Sequence, residues 1–208
     1  MMITNIYVDG FNLYYGAVKG TPHKWLNIDH LCRLLLPNHS INRIKYFTAR
    51  VSARPNDPGQ PMRQEIYLRA LRTLPNVEII FGHFLTNVVS MPLAGCPSSK
   101  QKYASVVKTE EKGSDVNLAT HLLYDGFKGN FQEAVLITND SDLLEPIKII
   151  TDELKYRVGI LNPHPKPSRA LVRYASFIKK IRKGALSISQ FPTQLQDGKG
   201  VFHKPPTW

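Results

Sequence analysis

Asp9 closes the run NIYVDG, Asp140 and Asp142 follow AVLIT within TNDSDL, and Asp115 opens a helical stretch after EEKGS. Each of these acids falls where a β-type segment ends or a helix begins. In open parallel sheets ligands bind at that edge, outside the carboxyl ends of the strands. Asp140 and Asp142 are two residues apart, so an extended chain points both to one side, and a turning chain sets them around a loop mouth. Two carboxylates about 4 Å apart repel by roughly 4 kcal/mol at an effective dielectric of about 20. Three or four together therefore need a cation or a proton among them. Hard oxygen ligands of this kind suit Mg²⁺ or Mn²⁺, and such an ion supports hydrolysis of a phosphodiester bond. The competing reading is local: an Asp after a strand also caps a helix or forms an Asx turn, and NDSD alone reads as a turn.

The elements that must position these acids follow from the apolar pattern. NIYVDG (5–10), RIKYFTARV (43–51), VEIIFGHFL (77–85), EAVLITND (133–140) and YRVGILNP (156–163) read as mostly buried strands. Between them, IDHLCRLLL, MRQEIYLRALRTL, SDVNLATHLLYDGF and DLLEPIKIITDEL have helical spacing. Strand alternating with helix predicts parallel βαβ units with helices on both faces. Ser114 or Asp115 is expected to cap the helix after Gly113, and Pro146 fits a first helical turn. Residues 86–108, with small residues and two prolines, read as a loop or short hairpin inserted in a domain spanning 1–182. Residues 183–208 mix Gly, Pro and Lys with isolated aromatics and read as an arm with little regular structure.

The 208 residues suffice for one domain with a substantial core. Cys32 and Cys96 are far apart and lack metal-ligand spacing, which argues against a disulfide framework or zinc site. No basic leader precedes an apolar run, and no stretch reaches membrane-spanning length, so a cytoplasmic protein without a membrane partner is expected. Lys and Arg number 27 against 16 acids, a formal charge of +11. That excess attracts polyanions, although it also serves solubility alone. No Ser/His/Asp order or Cys/His nucleophile emerges, and VDGFN lacks the glycines of a dinucleotide loop.

YVDGFNLYYG, EKGSDVNLATHLL and AVLITNDSDLLEPIKII together resemble the NYN domain family, a branch of the PIN-like ribonuclease superfamily, over approximately residues 3–182. The resemblance implies a three-layer α/β domain with a central, mostly parallel sheet flanked by helices, an acidic Mg²⁺-type pocket, and RNA as substrate. It assigns Asp9, Asp115, Asp140 and Asp142 to the metal, and Asn12 to holding the metal or its water. One departure is His121, where many members carry a further acid; here it either weakens the site or packs against the helices. For RNA, Arg69 and Arg72 on one helix face, and Arg169 and Arg173 within a longer basic segment, are expected to track phosphates. Lys112 either meets a phosphate or is a solvated loop lysine. Tyr14, beside Tyr15, either stacks on a base or packs beneath the first loop. The expected activity is metal-dependent endonucleolytic cleavage of RNA. Two alternatives remain: a non-cleaving RNA- or protein-binding module, and an enzyme acting on a small metabolite, which calls for a deeper apolar pocket than an RNA groove. The inserted segment and the arm are the parts expected to mediate a homodimer.

Overall fold

The computed structural model describes residues 1–95, 102–206 and 208, so Cys96 lies outside the described residues. Among the described residues ten strands run in chain order: β1 (Met2–Asp9), β2 (His39–Thr48), β3 (Val77–Phe81), β4 (His83–Pro92), β5 (Tyr103–Lys112), β6 (Glu133–Ile137), β7 (Arg157–Asn162), β8 (Phe177–Lys180), β9 (Gln194–Asp197) and β10 (Gly200–His203). The α-helices are α1 (Gly10–Leu13), α2 (Ile28–Leu35), α3 (Gln60–Leu71), α4 (Ser114–Phe127), α5 (Leu144–Lys148), α6 (Arg169–Val172) and α7 (Lys183–Ile188). A π-helical turn extends α1 over Tyr14–Val18, and another extends α5 over Ile149–Glu153.

Six strands form the central sheet in the order β3-β2-β1-β6-β7-β8, and every pairing within it is parallel. The chain winds from β1 outward to β3, then returns to the other side of β1 with β6. The place where the winding reverses lies between β1 and β6, and the crevice above it is the natural ligand site of such sheets. Because helices cover both faces, strand residues are apolar on both sides. Ile6 and Val8 pack with Trp25, Leu31, Ile44 and Leu68 on one face, whereas Tyr7 packs with Phe47, Leu118, Leu136 and Ile160 on the other.

Several boundaries differ from the expectation. VEIIFGHFL divides at Gly82, where an added Cβ would sit 2.5 Å from the Lys112 carbonyl oxygen and from Glu111 Oε1. Only a residue without a side chain lets β3 end against the base of the hairpin that β4 and β5 form. That hairpin occupies most of the inserted 86–108 segment and pairs His83 through to Pro92 with Lys112 back to Tyr103. β8 was not anticipated, since it is short, two of its four residues are lysines, and it lies at the sheet edge where Lys is favoured.

The 183–208 segment is not the loosely structured arm its composition suggests. It holds α7 and a β9–β10 hairpin, and it is tied down by distant partners. Arg69 donates from Nε to Asp197 Oδ2 at 2.7 Å and from Nη2 to Oδ1 at 2.6 Å, and lies over the Phe202 ring. Trp25 donates from its indole N–H to the Pro192 carbonyl at 2.7 Å. Trp208 stacks near Tyr67, with ring centroids 5.3 Å apart.

Candidate active site

Asp9 ends β1 and caps the short helix that follows: its Oδ1 accepts the Asn12 backbone N–H at 2.9 Å. Its Oδ2 accepts the Thr138 hydroxyl at 3.1 Å, and Thr138 Oγ1 in turn accepts the Asp140 N–H at 3.1 Å. Asp140 caps the 3-10 turn Ser141–Leu143 by accepting the Asp142 N–H at 3.0 Å. These local bonds are the capping role that spacing alone also suggested. They leave one oxygen each of Asp9, Asp115 and Asp140 within 4.8 Å of one another.

Charge and burial at this cluster work against the ionised state. Asp9 is 5% exposed. Burial, followed by the charges of Asp115 and Asp140, pushes its carboxyl up to about 7 against the hydrogen bonds from Asn12 and Thr138. Asp115 is also raised, first by burial and then by Asp140, Glu111 and Asp142. Among the described residues, no Lys or Arg forms an ion pair with Asp9, Asp115 or Asp140. A divalent cation would supply positive charge here, and the all-carboxylate donor set of Asp9, Asp115 and Asp140 fits a hard ion.

Asp142 is not brought into the cluster. The chain turns into a 3-10 helix directly after Asp140, so the two acids do not share a side, and Asp142 is exposed. Asn12 also has a different task from the expected one: its Oδ1 accepts the Asn139 N–H at 2.9 Å. Asn139 continues the chain of contacts, donating from Nδ2 to the Lys166 carbonyl and accepting the Ser168 N–H. Asn12 thus clamps the loop after β6 to α1 and fixes where Asp140 sits. His121 packs 5.7 Å from the Phe47 ring, and its Nδ1 lies 3.2 Å from Lys45 Nζ, outside the acid cluster.

At α4 the anticipated side-chain cap is replaced. Gly113 takes the N-cap position at φ 93°, and Glu111 accepts both the Ser114 N–H at 3.0 Å and the Ser114 hydroxyl at 2.7 Å. This holds Asp115 in the first turn of α4, with Glu111 as a further acid nearby. Glu111 went unselected from sequence, although it stands in the EEKGS run that precedes Asp115.

Among the basic candidates, Arg69 is committed to Asp197 and to the Gly200 carbonyl, which removes it from an RNA surface. Arg72 donates to Glu65 at 2.8 Å, and Lys112 lies 3.4 Å from Glu110. Arg169 and Arg173 on and beside α6 are exposed. Tyr14 is half-buried, 5.3 Å from the Tyr15 ring. It lines a cavity of about 770 Å³ that opens beside the three acids. Tyr46, Lys24, Arg54, Tyr67 and Trp208 line the same cavity and escaped the sequence reading. The strand-end rule that found Asp9 also reaches Tyr46, whose register partner is Val8. Lys24 and Arg54 lie in loops, where no pattern marks them.

A doubly wound α/β sheet with an acidic crevice at its winding reversal defines the class. Within it, the profile of the NYN domain matches residues 3–186, and the chain belongs to that family of PIN-like nucleases. A relative from Pseudomonas putida, named 6-hydroxy-3-succinoylpyridine 3-monooxygenase HspA, is 31% identical over 235 residues, covering 99% of this chain and 75% of that protein. A solved structure of a protein of unknown function from Vibrio parahaemolyticus has a TM-score of 0.58 at 16% identity, covering 88% of this chain and 94% of that one, and supports the fold alone.

Proposed function

We propose that the chain is a metal-dependent ribonuclease acting at Asp9, Asp115 and Asp140. The observation that carries this reading is the convergence of three carboxylates that, among the described residues, form no ion pair with a Lys or Arg. Asp9, Asp115 and Asp140 would hold Mg²⁺ or Mn²⁺, which would supply Lewis acidity for hydrolysis of a phosphodiester. The chain's own part is placement. Thr138 and Asn12 hold Asp9 and the loop carrying Asp140, and Glu111 holds the α4 start carrying Asp115. The exposed Arg169 and Arg173, together with the net positive charge, draw RNA to the surface. Purified protein should cleave labelled single-stranded or structured RNA with Mg²⁺ or Mn²⁺ and not with EDTA, and Asp140→Asn should lower cleavage at least a hundredfold at unchanged folding. Full activity in that variant sinks the proposal.

A second reading is oxidation of a small heteroaromatic compound. It is favoured by the aromatic side chains that line the cavity and by the name of the Pseudomonas putida relative. Oxygen uptake on adding 6-hydroxy-3-succinoylpyridine and a reduced nicotinamide or flavin would support it, particularly where no RNA is cut.

A further inference from the structure

The cavity beside the acids carries groups that hydrolysis does not use. Tyr46 is 7% exposed and lines the cavity, and its hydroxyl makes no hydrogen bond among the described residues. Burial, with the charge of Asp9, raises its phenol above the ordinary value, so it stays protonated and able to donate. That hydroxyl is in contact with the open space of the cavity, where a ligand can accept from it. Lys24 and Arg54 line the same space and form no ion pair among the described residues, whereas Arg63 is taken by Asp57. Tyr67 already donates to the Leu26 carbonyl at 3.0 Å and therefore offers its ring, next to that of Trp208.

We propose that this cavity binds one planar heteroaromatic ring bearing an anionic group. The ring lies among Tyr14, Tyr67 and Trp208, Tyr46 donates to an acceptor on it, and Lys24 and Arg54 receive the anion. A volume of about 770 Å³ lies within the range of small-molecule sites and leaves room for a substituted ring, and stacking on aromatic side chains is tolerant of ring identity. Two sources share this chemistry: a terminal nucleotide of an RNA chain, and a free heteroaromatic acid. The inference deepens the proposed function by naming the part of the substrate held behind the acids, and it stands whether or not those acids hydrolyse.

The test is calorimetric titration of the full chain with uridine 5′-monophosphate, pyridine-3-carboxylate and ribose 5-phosphate, each with Mg²⁺ and with EDTA. At least one ring-bearing anion should bind at least tenfold more tightly than the ring-free phosphate. Tyr46→Phe should weaken that binding about fivefold, the worth of one hydrogen bond, and Lys24→Ala with Arg54→Ala should weaken it about tenfold, all with unchanged circular dichroism. Tighter nucleotide binding identifies an RNA end as the source, and tighter pyridine-3-carboxylate binding identifies a small acid. Absence of binding, equal binding of ribose 5-phosphate, or wild-type affinity in both sets of variants overturns the proposal. Ring binding without RNA cleavage overturns only the ribonuclease reading, and cleavage without ring binding overturns only this one.

Discussion

Two buried carboxylates on neighbouring elements have opposite fates. Asp125, near the end of α4, receives Lys45 Nζ at 2.6 Å, the Tyr7 hydroxyl at 2.7 Å and the Asn130 side-chain amide at 3.0 Å. Its carboxyl is held below the ordinary value because these partners outweigh its burial. Asp9 sits at the end of β1 with two further acids for company and is raised to about 7. Glu133, fully buried at the opposite end of the sheet, is matched on one oxygen only: Oε1 accepts from Arg157 Nε at 3.1 Å, whereas Oε2 lies 2.7 Å from His39 Nε2 without a hydrogen bond. A carboxylate matched within the chain is part of the fold. One surrounded by its own kind is waiting for something from outside.

Breaking the matched site should cost most. Asp125→Ala leaves Lys45 buried and unpaired, and urea denaturation should show a loss of about 3–5 kcal/mol. At the mismatched site the sign should reverse. Asp9→Asn removes repulsion, so at pH 8 without divalent ions it should gain about 2 kcal/mol by the same measurement, while losing the stabilisation that millimolar Mg²⁺ gives the wild type.

The two acids also respond oppositely to pH. Asp9 is raised in the folded state, so its contribution is fully present below pH 3.8 and is lost as pH rises through about 7. Asp125 is lowered, so its contribution is present above pH 3.8 and is lost as pH falls through its folded value. For these two groups the metal-free chain should therefore show a stability maximum at about pH 4, and Mg²⁺ should flatten the alkaline side. A maximum unmoved by Asp9→Asn would contradict this assignment. The smallest expected effect concerns the surface: Arg69→Ala should lower the denaturation midpoint slightly by freeing the C-terminal hairpin, and leave RNA affinity unchanged. Arg169→Ala with Arg173→Ala should do the reverse, read by filter binding at two salt concentrations.

The contrast also explains what could be read in advance. Asp9, Asp115 and Asp140 were legible because strand ends and a helix start are marked in the sequence by a change of apolar period. Asp142 was indistinguishable from them by spacing, since whether the chain stays extended after Asp140 is decided by a local 3-10 turn. Whether a carboxylate is matched depends on residues far away, as Lys45 and Asp125 are 80 positions apart. Trp25 and Trp208 carried no signal individually, yet with Phe191 they form one aromatic cluster, Trp25 lying 5.7 Å from Phe191 and 6.4 Å from Trp208. The final segment escaped notice for the same reason: Leu186, Phe191 and Phe202 are single anchors without a period.

The pairing of β1 with β6 joins Asn5 to Ala134 and Val8 to Ile137, so the central seam of the sheet closes across most of the chain. During synthesis Asp9 emerges early and must wait for Asp140, and contacts of such separation form late. A nascent or fragmented chain that stops short of Asp140 therefore carries no assembled acid cluster.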